Sequence, residues 1–209
     1  WSRGLGDVYK RQTLLWGALG WRGWLAVAAY LALGSLVTRL GLREKSARGL
    51  AEARGGRRGP ENVWGSALVG CLLALLACRA PLGWLGPLLL GFAASFSAKL
   101  ADTFGSEIGK RWGRRTLLIT TLRPVPPGTE GAVSLEGTAA SLAGALLMAT
   151  VMSALGFVPS AAALLLVVVA GMAATLLESV LGATLQQRLS WLSNELVNGL
   201  QTLFAALLA

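Results

Sequence analysis

The 209-residue sequence has no histidine, two cysteines and ten acidic residues against nineteen basic ones. Without imidazole, zinc sites that need it and the Ser-His-Asp and Cys-His forms of nucleophilic catalysis are excluded. Cys71 and Cys78 stand in one apolar run, and their spacing on a helix is too wide for a disulfide, so they read as packing residues. Charged residues make up only 14% of the chain and collect in two loops. The net charge of +9 therefore reads as an orientation signal, and no nucleic-acid partner is expected. No GxxxxGK[ST] phosphate loop, no DDxxD pattern of prenyltransferases and no DGxxAR core of CDP-alcohol phosphotransferases is present.

Apolar residues are what the chain has in abundance, at 54% with a mean hydropathy of +0.60. Runs of roughly 17–25 such residues match the thickness of a bilayer. The expected fold is an all-α, polytopic integral membrane helical bundle of about six transmembrane helices in one domain over residues 13–209, with the lipid bilayer as its surroundings. The opening WSRGLGDVYKRQ begins on Trp and resembles a translated adapter. Residues 1–12 are accordingly expected to be non-native and the native N-terminus truncated.

The expected spans are Leu14–Leu40, Val63–Cys78, Leu85–Lys99, Gly137–Leu155, Ala161–Leu181 and Trp191–Leu208. Arg22 and Gly23 leave open whether the first is one tilted helix or two pieces, and the third is short enough to run on into 101–108. Polar loops at 41–62 and 99–136 hold nearly all the Lys and Arg. The positive-inside rule places both on the cytoplasmic side. Gly137, Ser141 and Ala145 recur at four-residue spacing, as do Ala140 and Gly144, which suits close helix packing in lipid.

Residues 99–138 concentrate the groups that could carry chemistry. Asp102 and Glu107 follow the third apolar run; on an unbroken helix they diverge by roughly 140°, so sharing a site would require a broken or reentrant segment. The alternative is a solvated helix end. The run VPPGTEGAVSLEGT sets Gly128, Thr129, Gly131 and Ser134 ahead of Glu136. Such glycines allow a ligand close to the backbone, and the helix starting near Gly137 presents an N-terminus that favours phosphate. Lys110, Arg111, Arg114, Arg115 and Arg123 supply counter-charge. Paired carboxylates beside a phosphate cradle make chemical sense with a bridging Mg²⁺.

In the first basic loop, Arg54, Arg57 and Arg58 suit orientation near anionic headgroups, whereas Glu61 and Asn62 are harder to explain that way. Glu178 lies in or near the end of the fifth apolar run and asks for an arginine or a cation as partner. Asn194 and Asn198 share a helical face, as interhelical hydrogen bonding would use them.

Five stretches in order, RRGPENVWG, ADTFGSEIGK, ITTLRPVPPGTEGAVSLEGT, LLESVLGATLQ and LSNELVNGLQTL, resemble the transmembrane protein nineteen family, and with GALGWRGW its cyanobacterial branch. That family includes the phytyl-phosphate kinases of plants and cyanobacteria. The resemblance implies an integral membrane enzyme, in a plasma or thylakoid membrane, that converts a prenyl monophosphate to the diphosphate and feeds tocopherol synthesis. Its donor would be CTP or ATP with Mg²⁺. On that reading Asp102 and Glu107, with Glu136, face the metal and the reaction. Arg58, Glu61, Asn62, Lys110, Arg123, Gly128, Thr129, Gly131, Ser134, Glu178, Asn194 and Asn198 bind substrates. A transporter or flippase, or a membrane scaffold without activity, are the alternatives.

Overall fold

The computed structural model describes residues 2–51, 60–186, 188–189 and 191–209, with side chains from Leu15 onward apart from 60–64 and 66. Helix α1 (Ser2–Arg39) is followed by the short α2 (Leu42–Ala47), then α3 (Pro60–Ala77) and α4 (Leu82–Trp112). Two-residue strands β1 (Leu117–Leu118) and β2 (Ala132–Val133) come next. Helices α5 (Leu135–Ala154), α6 (Ala161–Leu181) and α7 (Asn194–Leu208) complete the chain, with a π-helical turn at Gly182–Gln186 extending α6.

Each expected apolar segment is helical, and the chain is an all-α membrane bundle. Three helices among the described residues are long and apolar enough to cross a membrane: Leu82–Trp112, Leu135–Ala154 and Ala161–Gln186. Ala67–Ala77 is a shorter apolar helix. In α1, Gly20 adopts a left-handed φ of 65°, which breaks the helix into two pieces just before Arg22. Arg54, Arg57 and Arg58 lie outside the described residues.

The axis of the bundle is α4, which packs against α1, α3, α5, α6 and α7. Its 31 residues amount to about 46 Å of helix, well beyond a hydrocarbon layer of roughly 30 Å. The first half is apolar and anchors the core, where Phe96 stacks edge to face with Phe92 and Tyr30, and Phe92 packs at a tilt on Phe157. Beyond Lys99, where a polar loop was expected, the helix continues unbroken for three further turns. It does so because Lys99, Thr103 and Glu107 are buried against neighbouring elements instead of ending the helix in solvent.

Small residues allow α5 to lie directly on this second half. Gly105 and Gly109 face Gly137 and Ser141, and a Cβ at Gly144 would stand 2.9 Å from the Leu100 carbonyl and 3.0 Å from Phe104. Close approach of this kind is how helices gain packing energy in lipid. Ser134 caps α5: its hydroxyl accepts the Gly137 N–H at 3.1 Å. Ser97 donates to the Ala145 carbonyl at 3.2 Å, and the Gln201 amide donates to the Ala98 carbonyl at 3.4 Å. These bonds tie α5 and α7 to the middle of α4.

Between α4 and α5 the chain folds back as a small antiparallel hairpin, with Leu117 opposite Val133 and Leu118 opposite Ala132. The Ile119 N–H reaches the Gly131 carbonyl at 3.0 Å, and the Val125 N–H the Thr116 carbonyl at 3.0 Å. Gly131, at φ 75°, is pressed against Ser179 and Ala183 at the end of α6, where no side chain would fit. The hairpin is thereby seated on the polar end of the bundle.

Candidate functional site

A cavity of about 220 Å³ opens at that end, walled by the second half of α4, the hairpin, and the facing parts of α5, α6 and α7. Nine of the candidate site residues line it, namely Asp102, Lys110, Gly128, Thr129, Gly131, Ser134, Glu178, Asn194 and Asn198, and Glu130 from the same central stretch joins them. Met172 and Leu176, one turn apart on α6, give the wall an apolar strip, and Leu176 is 43% exposed on the outer surface of the bundle.

At the inner end of the cavity is Lys99, which sequence reasoning passed over as the end of an apolar run. It is 5% exposed. Its ammonium donates to Asp102 Oδ2 at 2.5 Å and to Asn198 Oδ1 at 2.7 Å, joining α4 to α7. A lysine inside an apolar helix, three residues before an aspartate, was the signal available. Thr175 was missed as well. Its hydroxyl donates to the Gly171 carbonyl at 2.9 Å and accepts from Gln201 Nε2 at 3.4 Å, a pattern that sequence spacing cannot reveal.

Glu178, Asp102, Glu130, Lys99 and Lys110 all line the cavity, so three acids and two bases share it. At low dielectric such groups interact several-fold more strongly than in water. The hairpin side adds backbone at Gly128 and Gly131, both with positive φ, and the Thr116 hydroxyl, buried without a hydrogen-bond partner.

Other expected residues lie elsewhere. Glu107 does not join Asp102. The unbroken helix turns it to another side of α4, where it forms a buried ion pair with Lys45 of α2. Glu136 is outside the cavity lining, half-buried in the first turn of α5, and its carboxylate accepts the Arg114 backbone N–H at 3.4 Å. Arg123 is exposed at the far end of the hairpin, where its carbonyl accepts the Leu118 N–H at 2.9 Å. Glu61 and Asn62 belong to the first turn of α3, but their side chains, like Arg58 as a whole, lie outside the described residues.

Carboxylate, amide and hydroxyl oxygens form a hard donor set of the kind that Mg²⁺ takes. No group of three His, Cys, Asp or Glu side chains converges as a ready metal cage among the described residues. A cation there would take one or two of these carboxylates and complete its coordination with other oxygens.

Fold and site together define a helical membrane protein with a charged cavity at one end, one wall of which carries the apolar side chains of Met172 and Leu176. The chain belongs to the integral membrane protein family DUF92, whose model matches residues 10–206. This agrees with the family expected from the five ordered motifs. An uncharacterized membrane protein of Synechocystis is 52% identical over 206 residues, covering 99% of this chain and 80% of that protein. The chloroplastic protein VTE6 of Arabidopsis thaliana is 43% identical over 94% of this chain, which spans 60% of its length. An uncharacterized membrane protein of Methanocaldococcus jannaschii is 32% identical over 90% of this chain and 75% of its own. No solved structure matches.

Proposed function

We propose that this protein is a membrane-embedded kinase that converts a prenyl (phytyl) monophosphate to the diphosphate at the expense of a nucleoside triphosphate. The observation that carries this reading is the cavity itself, which combines two lysines, three carboxylates and the glycine backbone of the hairpin with the apolar strip of Met172 and Leu176. Such a site suits a phosphate at the end of a hydrocarbon chain. The 43% identity to the chloroplastic protein VTE6, together with the motif resemblance to a family that includes phytyl-phosphate kinases, supports the same substrate class.

In the reaction, an oxygen of the prenyl monophosphate attacks the terminal phosphorus of the nucleotide. A new P–O–P linkage forms as the bond to the nucleoside diphosphate breaks. The attacking phosphate is already largely deprotonated near neutrality, with a second pKa of about 6, so no general base is required. Positioning and charge neutralisation do the work. The amides around Gly128–Gly131 and the ammonium of Lys110 face the nucleotide phosphates. Asp102, with Glu130 or Glu178, would hold Mg²⁺, which when bound would supply charge neutralisation for the transferring group. The hydrocarbon tail runs along Met172 and Leu176 into the bilayer. The basic loops face the cytoplasmic side of a plasma or thylakoid membrane.

The test supplies the purified protein with Mg²⁺, phytyl monophosphate and CTP or ATP in parallel. Diphosphate is expected from the wild type and at least about a hundredfold less from Asp102→Asn, as loss of a transition-state electrostatic contact implies. Equal product from both would move the metal site away from Asp102. Folded protein that makes no product with either nucleotide would overturn the kinase and favour transport through the same cavity.

A further inference from the structure

The two lysines of the cavity are not equivalent. Lys99 Nζ reaches forward to Asp102, whereas Lys110 Nζ reaches back to within 3.8 Å of Glu107 Oε1. Their carboxylate partners are five residues apart on one continuous helix, about 7.5 Å along the axis and about 140° around it. Held at those anchors, the two ammonium groups are drawn to different sides of α4.

Their surroundings differ in kind. Next to Lys99, the Ala98 carbonyl accepts the Thr175 hydroxyl at 3.4 Å, which places Lys99 at the level of α6 where Met172 and Leu176 form the apolar strip. Next to Lys110, Gly109 lies against Ser134 at the base of the hairpin. The inner cation thus sits at the level of the apolar strip, and the outer one beside the polar hairpin. We propose that Lys99 receives the phosphate of a membrane-borne phosphate monoester, held in place by Asp102 and Asn198, while Lys110 serves the soluble phosphate donor. This assignment rests on the kinase reading and divides its two substrates between two cations.

The chemistry at Lys99 suits this task. A phosphate dianion makes a stronger charge-assisted bond to an ammonium than the neutral amide oxygen of Asn198 does. The Asn198 amide carries N–H donors as well, so the same side chain can turn from holding the lysine to contacting the phosphate. Burial to 5% exposure keeps water from competing for that bond.

The test measures binding to the protein in lipid nanodiscs, without nucleotide, of phytyl monophosphate, phytol and inorganic phosphate. The variants are Lys99→Gln, Lys99→Arg and Lys110→Gln. Because Lys99→Gln strands the Asp102 charge, the double variant Lys99→Gln/Asp102→Asn is measured beside it, with helicity checked throughout. Loss of the Lys99 charge should weaken phytyl monophosphate roughly tenfold to a hundredfold, the effect of one charged hydrogen bond. Phytol binding should not change, and Lys99→Arg should recover part of the loss. Lys110→Gln should leave phytyl monophosphate affinity within about twofold and raise the KM for the nucleotide. Inorganic phosphate bound as tightly as the lipid would overturn the membrane-borne assignment. Wild-type affinity in the folded double variant would overturn the role of Lys99. Loss of binding in the Lys99 variants, with no diphosphate formed by the wild type, would uphold Lys99 and remove the kinase. Diphosphate formation with unchanged prenyl phosphate affinity in those variants would do the reverse.

Discussion

Replacing Lys45 by methionine tests how the loop before α3 is held to the bundle. Both side chains of the Lys45–Glu107 pair are only 2% exposed, and the ammonium also donates to the Thr38 carbonyl at 2.9 Å. A buried pair of this kind is a weak net stabiliser when intact, but removal of one partner leaves an uncompensated charge at a cost of about 3–5 kcal/mol. In Lys45→Met, Glu107 would keep only Lys110, 3.8 Å from Oε1, an oxygen that already lacks a hydrogen-bond partner. That distant cation softens the loss, so the lower end, about 3 kcal/mol, is expected. Glu107→Leu should cost a similar amount through the stranded Lys45. The double variant Lys45→Met/Glu107→Leu should return to within about 1 kcal/mol of wild type, because two apolar groups of similar volume can replace a buried pair. Far-UV circular dichroism during graded denaturation in mixed micelles reads each difference. Single variants that each cost less than about 0.5 kcal/mol, or a double variant equal to their sum, would refute a buried pair at this position.

Three further outcomes follow from the geometry. Gly144→Leu should drive α5 off α4 at Leu100 and Phe104 and destabilise by about 1–3 kcal/mol or more in the same unfolding measurement. Gly131→Ala places a side chain at a left-handed φ and against the end of α6, so limited proteolysis should cut residues 119–130 faster than in wild type. Chelation of divalent cations should abolish diphosphate formation without changing helicity, and added Mg²⁺ should restore it, as product analysis and circular dichroism would show together.

Much of the fold was legible because lipid-facing helices announce themselves by length and hydropathy, and α3 starts at Pro60, a residue suited to the first helical position. The main departure is α4. Sequence spacing suggested an apolar helix ending near Lys99, since lysine, aspartate and glutamate are costly at membrane depth. Their partners come from α7, from α2 and from one turn away on α4 itself, and partners distant in sequence cannot be read from local pattern. Asp102 and Glu107 could have shared a site only across a broken or reentrant segment, and the unbroken α4 keeps them apart. The cavity lining was more readable, because the hairpin glycines, Ser134, Glu178, Asn194 and Asn198 were conspicuous as polar or flexible residues beside apolar runs. Lys99 was hidden by its position at the boundary of one.

The hydrogen bond from Lys99 to Asn198 also sets an order of events during synthesis. Asn198 belongs to the last helix, about a hundred residues after the lysine it holds. A nascent chain inserted as far as α6 already contains Lys99, Asp102, the hairpin and Glu178, yet lacks the side chain that fixes the lysine. The charged cavity is therefore finished only when α7 docks against α3, α4 and α6. A ribosome-stalled chain ending before Ser193 should be inserted in the membrane and still be unable to retain a phosphorylated lipid.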